Sequence, residues 1–161
     1  MTRVKQLVEL RRSDNDKPEL PMDPAVGHSG LIRPFLSRQA RARFDEIEPG
    51  TSRRTRLLNR LCHDFESTLD WRTAKPIATT DQTPELIAPL LRKLGAGNAC
   101  YVLCCSEEWD GKHLPLLDAL RALVGNGLPV LLVCIPSSLA YFEPEYVAGA
   151  GQRFVLQRSR R

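Results

Sequence analysis

Two apolar segments, residues 99–105 and 128–135, constrain the fold of this chain more than any other feature of its sequence. Nearly every position in both segments is apolar, a pattern typical of strands that are covered on both faces of a sheet. The residues between them include a helical pattern over about 114–124, and this connection is long enough for a crossover helix. We therefore predict a right-handed βαβ unit at about residues 99–136, with its two strands parallel.

The remaining sequence predicts helices and outer strands around this unit. Leu57, Leu61 and Phe65 repeat at the spacing of a buried helical face and predict a long helix that begins after Thr51-Ser52. Residues 137–142 predict an outer strand. Residues 152–157 alternate polar with apolar side chains, as a half-exposed edge strand does. The predicted fold class is thus α/β: a small mixed sheet of about three to five strands, with helices on both faces and antiparallel edge strands at the C-terminus.

The domain organisation follows from length and local composition. A chain of 161 residues is long enough to bury one core, and we assign residues 36–157 to a single α/β domain. Residues 1–35 are polar, charged and interrupted by prolines, which predicts a flexible arm. Residues 158–161 form a short basic tail. The apolar residues through which the arm is expected to dock are Leu31, Ile32 and Phe35.

Composition excludes several classes of protein. No apolar run approaches the length of about 18 residues that a membrane-spanning helix needs, and no secretory signal pattern is found, so we expect a cytoplasmic protein. The five cysteines contain no Cys-x-x-Cys pair, and most lie in the apolar strands, where thiols behave as small hydrophobic groups. Nucleotide-binding glycine motifs are also absent. We predict neither a metal site nor a cofactor.

The loop that follows the first apolar strand is the candidate catalytic site, because ligands of parallel α/β sheets bind beyond the carboxyl ends of the strands. A thiol with an imidazole suggests nucleophilic catalysis, and clustered carboxylates suggest a divalent metal, although no acid follows the second strand. A solvated acidic loop that only covers the edge of the core is the alternative. The candidate catalytic residues are Cys105, Glu107, Glu108, Asp110 and His113.

Three aromatic residues predict a surface for a protein partner. Trp109 lies in the loop at residues 106–113, and Tyr141 and Phe142 lie in the segment at residues 139–145. The function that we expect from these features is that of a small cytosolic interaction or accessory protein that binds another protein through both segments. An enzyme that acts on a small anionic or phosphorylated substrate is an alternative.

Nucleic-acid binding is a further alternative, because the positive charge is concentrated at one end of the chain. Residues 1–60 contain 13 basic and 8 acidic residues, whereas the whole chain has a net charge of +4. Arg53, Arg54 and Arg56 occupy the first turn of the predicted long helix, where the helix dipole disfavours cations, and they form a candidate anion site. The arginines of the wider basic face are Arg38, Arg41, Arg43 and Arg60.

Overall fold

A computed structural model describes residues 26–136, 139–146 and 151–158 of the chain, and its centre is a six-stranded sheet. The strands lie in the order β1-β6-β5-β4-β2-β3, and every neighbouring pair is antiparallel. The fold is therefore mixed α/β, but the sheet is not mixed in direction. The strands are β1 Ala74–Pro76, β2 Ala99–Cys104, β3 His113–Pro115, β4 Val130–Ile135, β5 Leu139–Glu143 and β6 Phe154–Gln157.

The prediction of a parallel pair at residues 99–136 is wrong. Strands β2 and β4 are neighbours, but Ala99 lies opposite Ile135 and Cys104 lies opposite Val130, so the pair is antiparallel. The reason is the short strand β3, in which the chain turns back along β2 before the helix begins. The helix at Leu116–Leu123 thus connects β3 to β4. These two strands share one direction and lie on either side of β2.

Helices cover both faces of the sheet, as predicted. One layer contains the helices that precede β1, and the other contains the two helices that follow it. Ser37 and Thr51 cap two helices of the first layer, since their hydroxyl oxygens accept hydrogen bonds from the backbone N–H groups of Ala40 and Arg54. The α-helices in the described ranges are α1 Gly27–Ile32, α2 Arg38–Arg43, α3 Ser52–His63, α4 Phe65–Thr68, α5 Pro84–Lys93 and α6 Leu116–Leu123.

Alternate residues of the central strands enter two separate cores. Tyr101, Leu103 and Leu131 pack against the layer of α1–α4. Their sequence neighbours Val102 and Leu132 pack against the layer of α5 and α6. Both faces of the strands are therefore buried, which explains why residues 99–104 and 130–135 are apolar at nearly every position.

The two C-terminal strands lie inside the sheet and not at its edge. Strand β5 is paired with β4 and β6, and β6 is paired with β5 and β1. The prediction of edge strands here is wrong because β1, whose sequence is Ala-Lys-Pro, has no strand-like pattern but still pairs with β6. In the part of the chain that the structure describes, no helix is long and apolar enough to cross a membrane.

The segment that precedes residue 36 contributes to the core. Helix α1 is followed by a 3₁₀ turn at Arg33–Phe35, and Leu31, Ile32 and Phe35 are buried in the layer that covers β2 and β4. The Ser29 hydroxyl also accepts a hydrogen bond of 2.9 Å from the Ile47 N–H. The described part of the predicted arm is thus packed against the domain. Residues 1–25 of that arm and residues 159–161 of the predicted basic tail lie outside the described residues.

We expect the Ile32→Ala substitution to lower the free energy of unfolding by about 2–5 kcal/mol, because Ile32 is 0% exposed and its truncation leaves a cavity. Urea denaturation of the full chain measures this change. The control is Val26→Ala at a side chain that is 43% exposed, where a change within about 0.5 kcal/mol is expected. Equal stability of the Ile32 variant and the control would contradict the packing of α1.

Candidate functional site

The loop that contains most of the predicted catalytic residues is the tip of a hairpin. The N–H groups of Trp109 and Asp110 both donate to the Ser106 carbonyl oxygen, at 3.1 and 2.8 Å. The Gly111 N–H donates to the Val102 carbonyl oxygen at 2.9 Å and continues the pairing of β2 with β3. The residues from 105 to 112 therefore fold back against β2, and do not stand above the ends of two parallel strands.

This hairpin tip is bound to a buried arginine of α3. The Arg54 side chain is 1% exposed, and its Nε and Nη2 atoms donate to the two carboxylate oxygens of Asp110 at 2.8 and 2.7 Å. Asp110 Oδ1 also accepts a bond of 3.0 Å from the Cys104 N–H. A bidentate guanidinium–carboxylate pair fixes both the distance between the two groups and their orientation. Arg54 thus holds the hairpin tip against the first turn of α3.

The remaining donors of Arg54 are also satisfied. Its Nη1 atom donates to the Ile47 carbonyl oxygen and to the Tyr101 hydroxyl, both at 2.8 Å, and Nη2 donates to the Val102 carbonyl oxygen at 3.3 Å. All five N–H bonds of the guanidinium therefore have an acceptor. Burial by itself lowers the pKa of Arg54, but the bonds to Asp110 and Tyr101 outweigh it and the pKa is raised. The side chain is a buried, paired cation.

Tyr101 extends this network to the surface. Its hydroxyl accepts a hydrogen bond from Arg54 and is hydrogen-bonded to His28 Nδ1, with 2.8 Å between the oxygen and the nitrogen. The other ring nitrogen, Nε2, lies 3.7 Å from Glu48 Oε2. Burial raises the pKa of Tyr101 to about 12. A neutral phenol therefore connects the buried cation to α1, which carries His28.

The structure does not bring the predicted catalytic residues together into one site, and each has different neighbours. The Asp110 carboxylate is paired with Arg54, and the His113 ring is buried against the Tyr101 ring, with 5.1 Å between ring centroids. Cys105 is exposed. Glu107 and Glu108 are exposed. Within the described residues, no group of three or more His, Cys, Asp and Glu side chains is placed to hold a metal ion.

The aromatic residues of the predicted partner surface are separated in the same way. Tyr141 and Phe142 are both 0% exposed and enter opposite cores from adjacent positions of β5. The Tyr141 hydroxyl donates to Glu143 Oε2 at 2.8 Å, and Glu143 is itself buried. Trp109 is half-buried against the core of the α5–α6 layer. Tyr141 and Phe142 are therefore not available at the surface beside Trp109.

Arginine side chains instead converge on a groove between α2 and α3, which we call the arginine groove. It is open and has a volume of about 570 Å³. Arg53, Arg56 and Arg60 have the spacing of one helical face, and the rise of α3 separates the first from the last by about 10 Å. The residues that line the groove are Arg43, Phe44, Arg53, Arg56, Asn59 and Arg60.

Two of the four groove arginines are paired with exposed carboxylates. Arg53 Nη1 lies 2.7 Å from Asp45 Oδ1, and Arg60 Nη2 lies 3.0 Å from Asp64 Oδ2. Exposed pairs of this kind contribute only about 0–1 kcal/mol, so a competing anion can displace them. Arg43 and Arg56 are exposed and have no ion pair or side-chain hydrogen bond with another described residue. The groove therefore presents cationic groups that an anion can reach.

The sequence-based anion site is thus divided in two. Arg53 and Arg56 line the groove, whereas Arg54, which directly follows Arg53 in α3, is turned inward. Of the wider basic set, Arg41 donates to the carbonyl oxygens of Leu36 and Pro34 and does not line the groove. Arg38 does not line it either.

The contributions of Phe44, Asn59 and the buried network were missed by sequence reasoning. One signal for Arg54 was present: it precedes Leu57 and Leu61 by three and seven positions, which places it on the apolar face of α3.

Comparison of this chain with known protein families, with curated proteins and with solved structures finds no match. The arginine groove is the candidate functional site on its geometry and charge.

We expect Arg54→Met to destabilise the fold by about 3–5 kcal/mol, because it leaves the Asp110 carboxylate without its cation. Chemical denaturation at neutral pH measures the change. Arg53→Met is the matched control on the same turn of α3, where only an exposed pair is lost and a change below about 1 kcal/mol is expected. Similar losses in the two variants would show that the Arg54 network does not support the fold.

The raised pKa of Tyr101 predicts a loss of stability in alkali. The unfolded chain releases this proton near its usual pKa of 10, whereas the folded chain retains it to about 12. The unfolded state therefore binds fewer protons between pH 10 and 12, and the free energy of unfolding falls as pH rises. We expect Tyr101→Phe to reduce this slope by up to about 1.4 kcal/mol per pH unit. Denaturation at several pH values compares the slopes, and equal slopes would refute the assignment.

Proposed function

We propose that the protein uses the arginine groove to bind the phosphate backbone of nucleic acid. The observation that carries this proposal is the convergence of Arg43, Arg53, Arg56 and Arg60 on one open groove. A guanidinium is always charged at physiological pH and presents paired donors that match phosphate oxygens. Arg43 and Arg56 are the primary contacts, and Arg53 and Arg60 exchange their carboxylate partners for phosphates.

The shape of the groove favours a polyanion over a small phosphorylated molecule. Three of the four cationic groups are spread over about 10 Å of α3, and the groove is open to solvent. An extended chain of phosphates can contact several of these groups at once, whereas one small anion can contact few. Binding strength should therefore increase with the number of phosphates that the groove engages.

The lining supports binding with little sequence preference. Phe44 is the aromatic residue of the groove, but its ring is buried in the core of the α1–α4 layer and has no free face on which a base can stack. Asn59 is the uncharged polar residue of the lining. Contacts to phosphates position a protein on nucleic acid but carry no sequence information. The recognition that we propose is thus electrostatic.

The other functions that the sequence suggested have less support from the side-chain geometry. Binding of a protein through the segments at 106–113 and 139–145 depended on Tyr141 and Phe142, which are buried. Catalysis at the end of parallel strands depended on a crevice between β2 and β4, and these strands are antiparallel. The arginine groove requires neither feature.

A double variant, Arg43→Gln with Arg56→Gln, tests the proposal. We expect its affinity for a labelled oligonucleotide at low salt to fall by about tenfold or more, and the slope of log K against log salt to become shallower by about two. Fluorescence anisotropy over a salt series measures both quantities, with single-stranded and duplex oligonucleotides.

The matched control is Arg92→Gln with Lys93→Gln, which removes the same charge from the end of α5 on the other face of the sheet. We expect this control to retain most of the affinity of the wild-type protein and its salt slope. Equal losses of affinity in the two double variants would mean that binding depends only on the net charge of the protein. Binding by the wild-type protein that does not weaken with salt, or no binding even at low salt, would overturn the proposal.

A further inference from the structure

A partly exposed pair of aromatic rings lies close to one end of the arginine groove. Arg60, the last groove arginine of α3, donates from its Nε atom to the Thr68 hydroxyl oxygen at 3.3 Å. Thr68 ends α4 and Phe65 begins it, and this single turn is about 6 Å long. The Phe65 ring contacts that of Trp71, with 5.1 Å between ring centroids. One short helix therefore separates the groove from this pair, which we call the aromatic patch.

The core holds the Trp71 ring in place and leaves part of it exposed. The indole makes edge-to-face contacts with Phe154 of β6, at 4.6 Å between centroids, and with Phe142 of β5, at 6.4 Å. Both of those rings are buried, whereas Trp71 and Phe65 are only partly buried against the same core. An aromatic ring that is already fixed in one orientation loses little conformational entropy when a flat ligand stacks on it.

We propose that Trp71 stacks against an unpaired base, so that the nucleic acid bound by this protein is single-stranded. The inference rests on the proposed function, because the arginine groove holds the phosphates next to the stacked base. The bases of a duplex are paired and stacked on one another, and they reach a protein ring only when they are flipped out. A single strand can place its phosphates on Arg56 and Arg60 and turn a neighbouring base onto Trp71.

The charges beside the aromatic patch favour a base over a phosphate. The two carboxylate oxygens of Asp70 accept hydrogen bonds from the Arg72 guanidinium at 3.0 and 3.2 Å, so this pair adds no net charge. Glu66, in α4, is exposed as well. A phosphate is therefore not attracted to the patch, whereas an uncharged base gains the contact with an aromatic ring. Because every base has an aromatic face, stacking adds a preference for single strands and not for a sequence.

Fluorescence can report on stacking at Trp71 directly. The chain has two tryptophans, so Trp109→Phe leaves Trp71 as the single indole. The experiment titrates this full-length variant with an oligothymidine, and separately with the same strand paired to an oligoadenine. It records the emission of Trp71 together with the anisotropy of a label on the oligonucleotide. We expect the single strand to bind about fivefold more tightly or better, and we expect only the single strand to quench Trp71 at saturation.

Substitutions at Trp71 separate stacking from packing. Leucine keeps an apolar contact with the core but has no aromatic face, so Trp71→Leu should lower the affinity for the oligothymidine about tenfold and leave the affinity for the duplex unchanged. Trp71→Phe should retain most of the affinity for the single strand. The matched control is Trp109→Leu, the same change at a partly buried tryptophan of the other layer, where neither affinity should change.

Three outcomes would overturn stacking at Trp71 while leaving phosphate binding at the groove intact. They are binding of the oligothymidine without quenching of Trp71, equal affinities for strand and duplex, and equal losses in Trp71→Leu and Trp109→Leu. Absence of binding by both forms of the oligonucleotide would overturn the proposed function and this inference together. Because quenching is measured with Trp71 in place, that result holds even where a Trp71 variant is poorly folded.

Discussion

The buried guanidinium of Arg54 is the interaction on which this part of the structure depends. Removing a cation from water is costly, and the cost is offset only when a counter-charge and acceptors for its N–H groups surround it. Asp110, Ile47, Tyr101 and Val102 supply them from the hairpin tip, the segment before α3, and β2. These elements are held together because they jointly supply acceptors for all five N–H groups of the same cation.

The hairpin tip has the backbone that this pairing requires. Gly111 follows Asp110 with a φ of +78°, a conformation that L side chains rarely adopt. A Cβ atom at that position would also lie 2.6 Å from Pro49 Cγ, so the tip could not approach the segment before α3 with a larger residue. The glycine thus permits the close approach that brings the Asp110 carboxylate to Arg54.

The fold was predictable where the signal is local, and unpredictable where it depends on pairing. Ser37 and Thr51 cap α2 and α3, as favoured N-cap residues do, and Pro84 begins α5. An apolar strand pattern shows burial on both faces but carries no information about direction. The turn through β3 that makes β2 and β4 antiparallel comprises three paired residues, too few for a periodicity. The prediction that Tyr141 and Phe142 share one surface failed for a different reason, since adjacent residues of a covered strand enter opposite cores.

In the candidate site, too, the local signal was predictable from the sequence and the pairing of side chains was not. Arg53, Arg54 and Arg56 form one basic cluster in the sequence, but successive residues of a helix are rotated by about 100°, so Arg54 cannot lie on the face that Arg53 and Arg56 present to the groove. Arg54 falls on the face of Leu57 and Leu61, and an arginine there must find a buried acid. The sequence indicates that Arg54 requires a buried acid but does not identify that acid, because Glu107, Glu108 and Asp110 are equally near in the chain. Once Arg54 is assigned to the core, Arg53 and Arg56 must point away from it, and this places them in the groove.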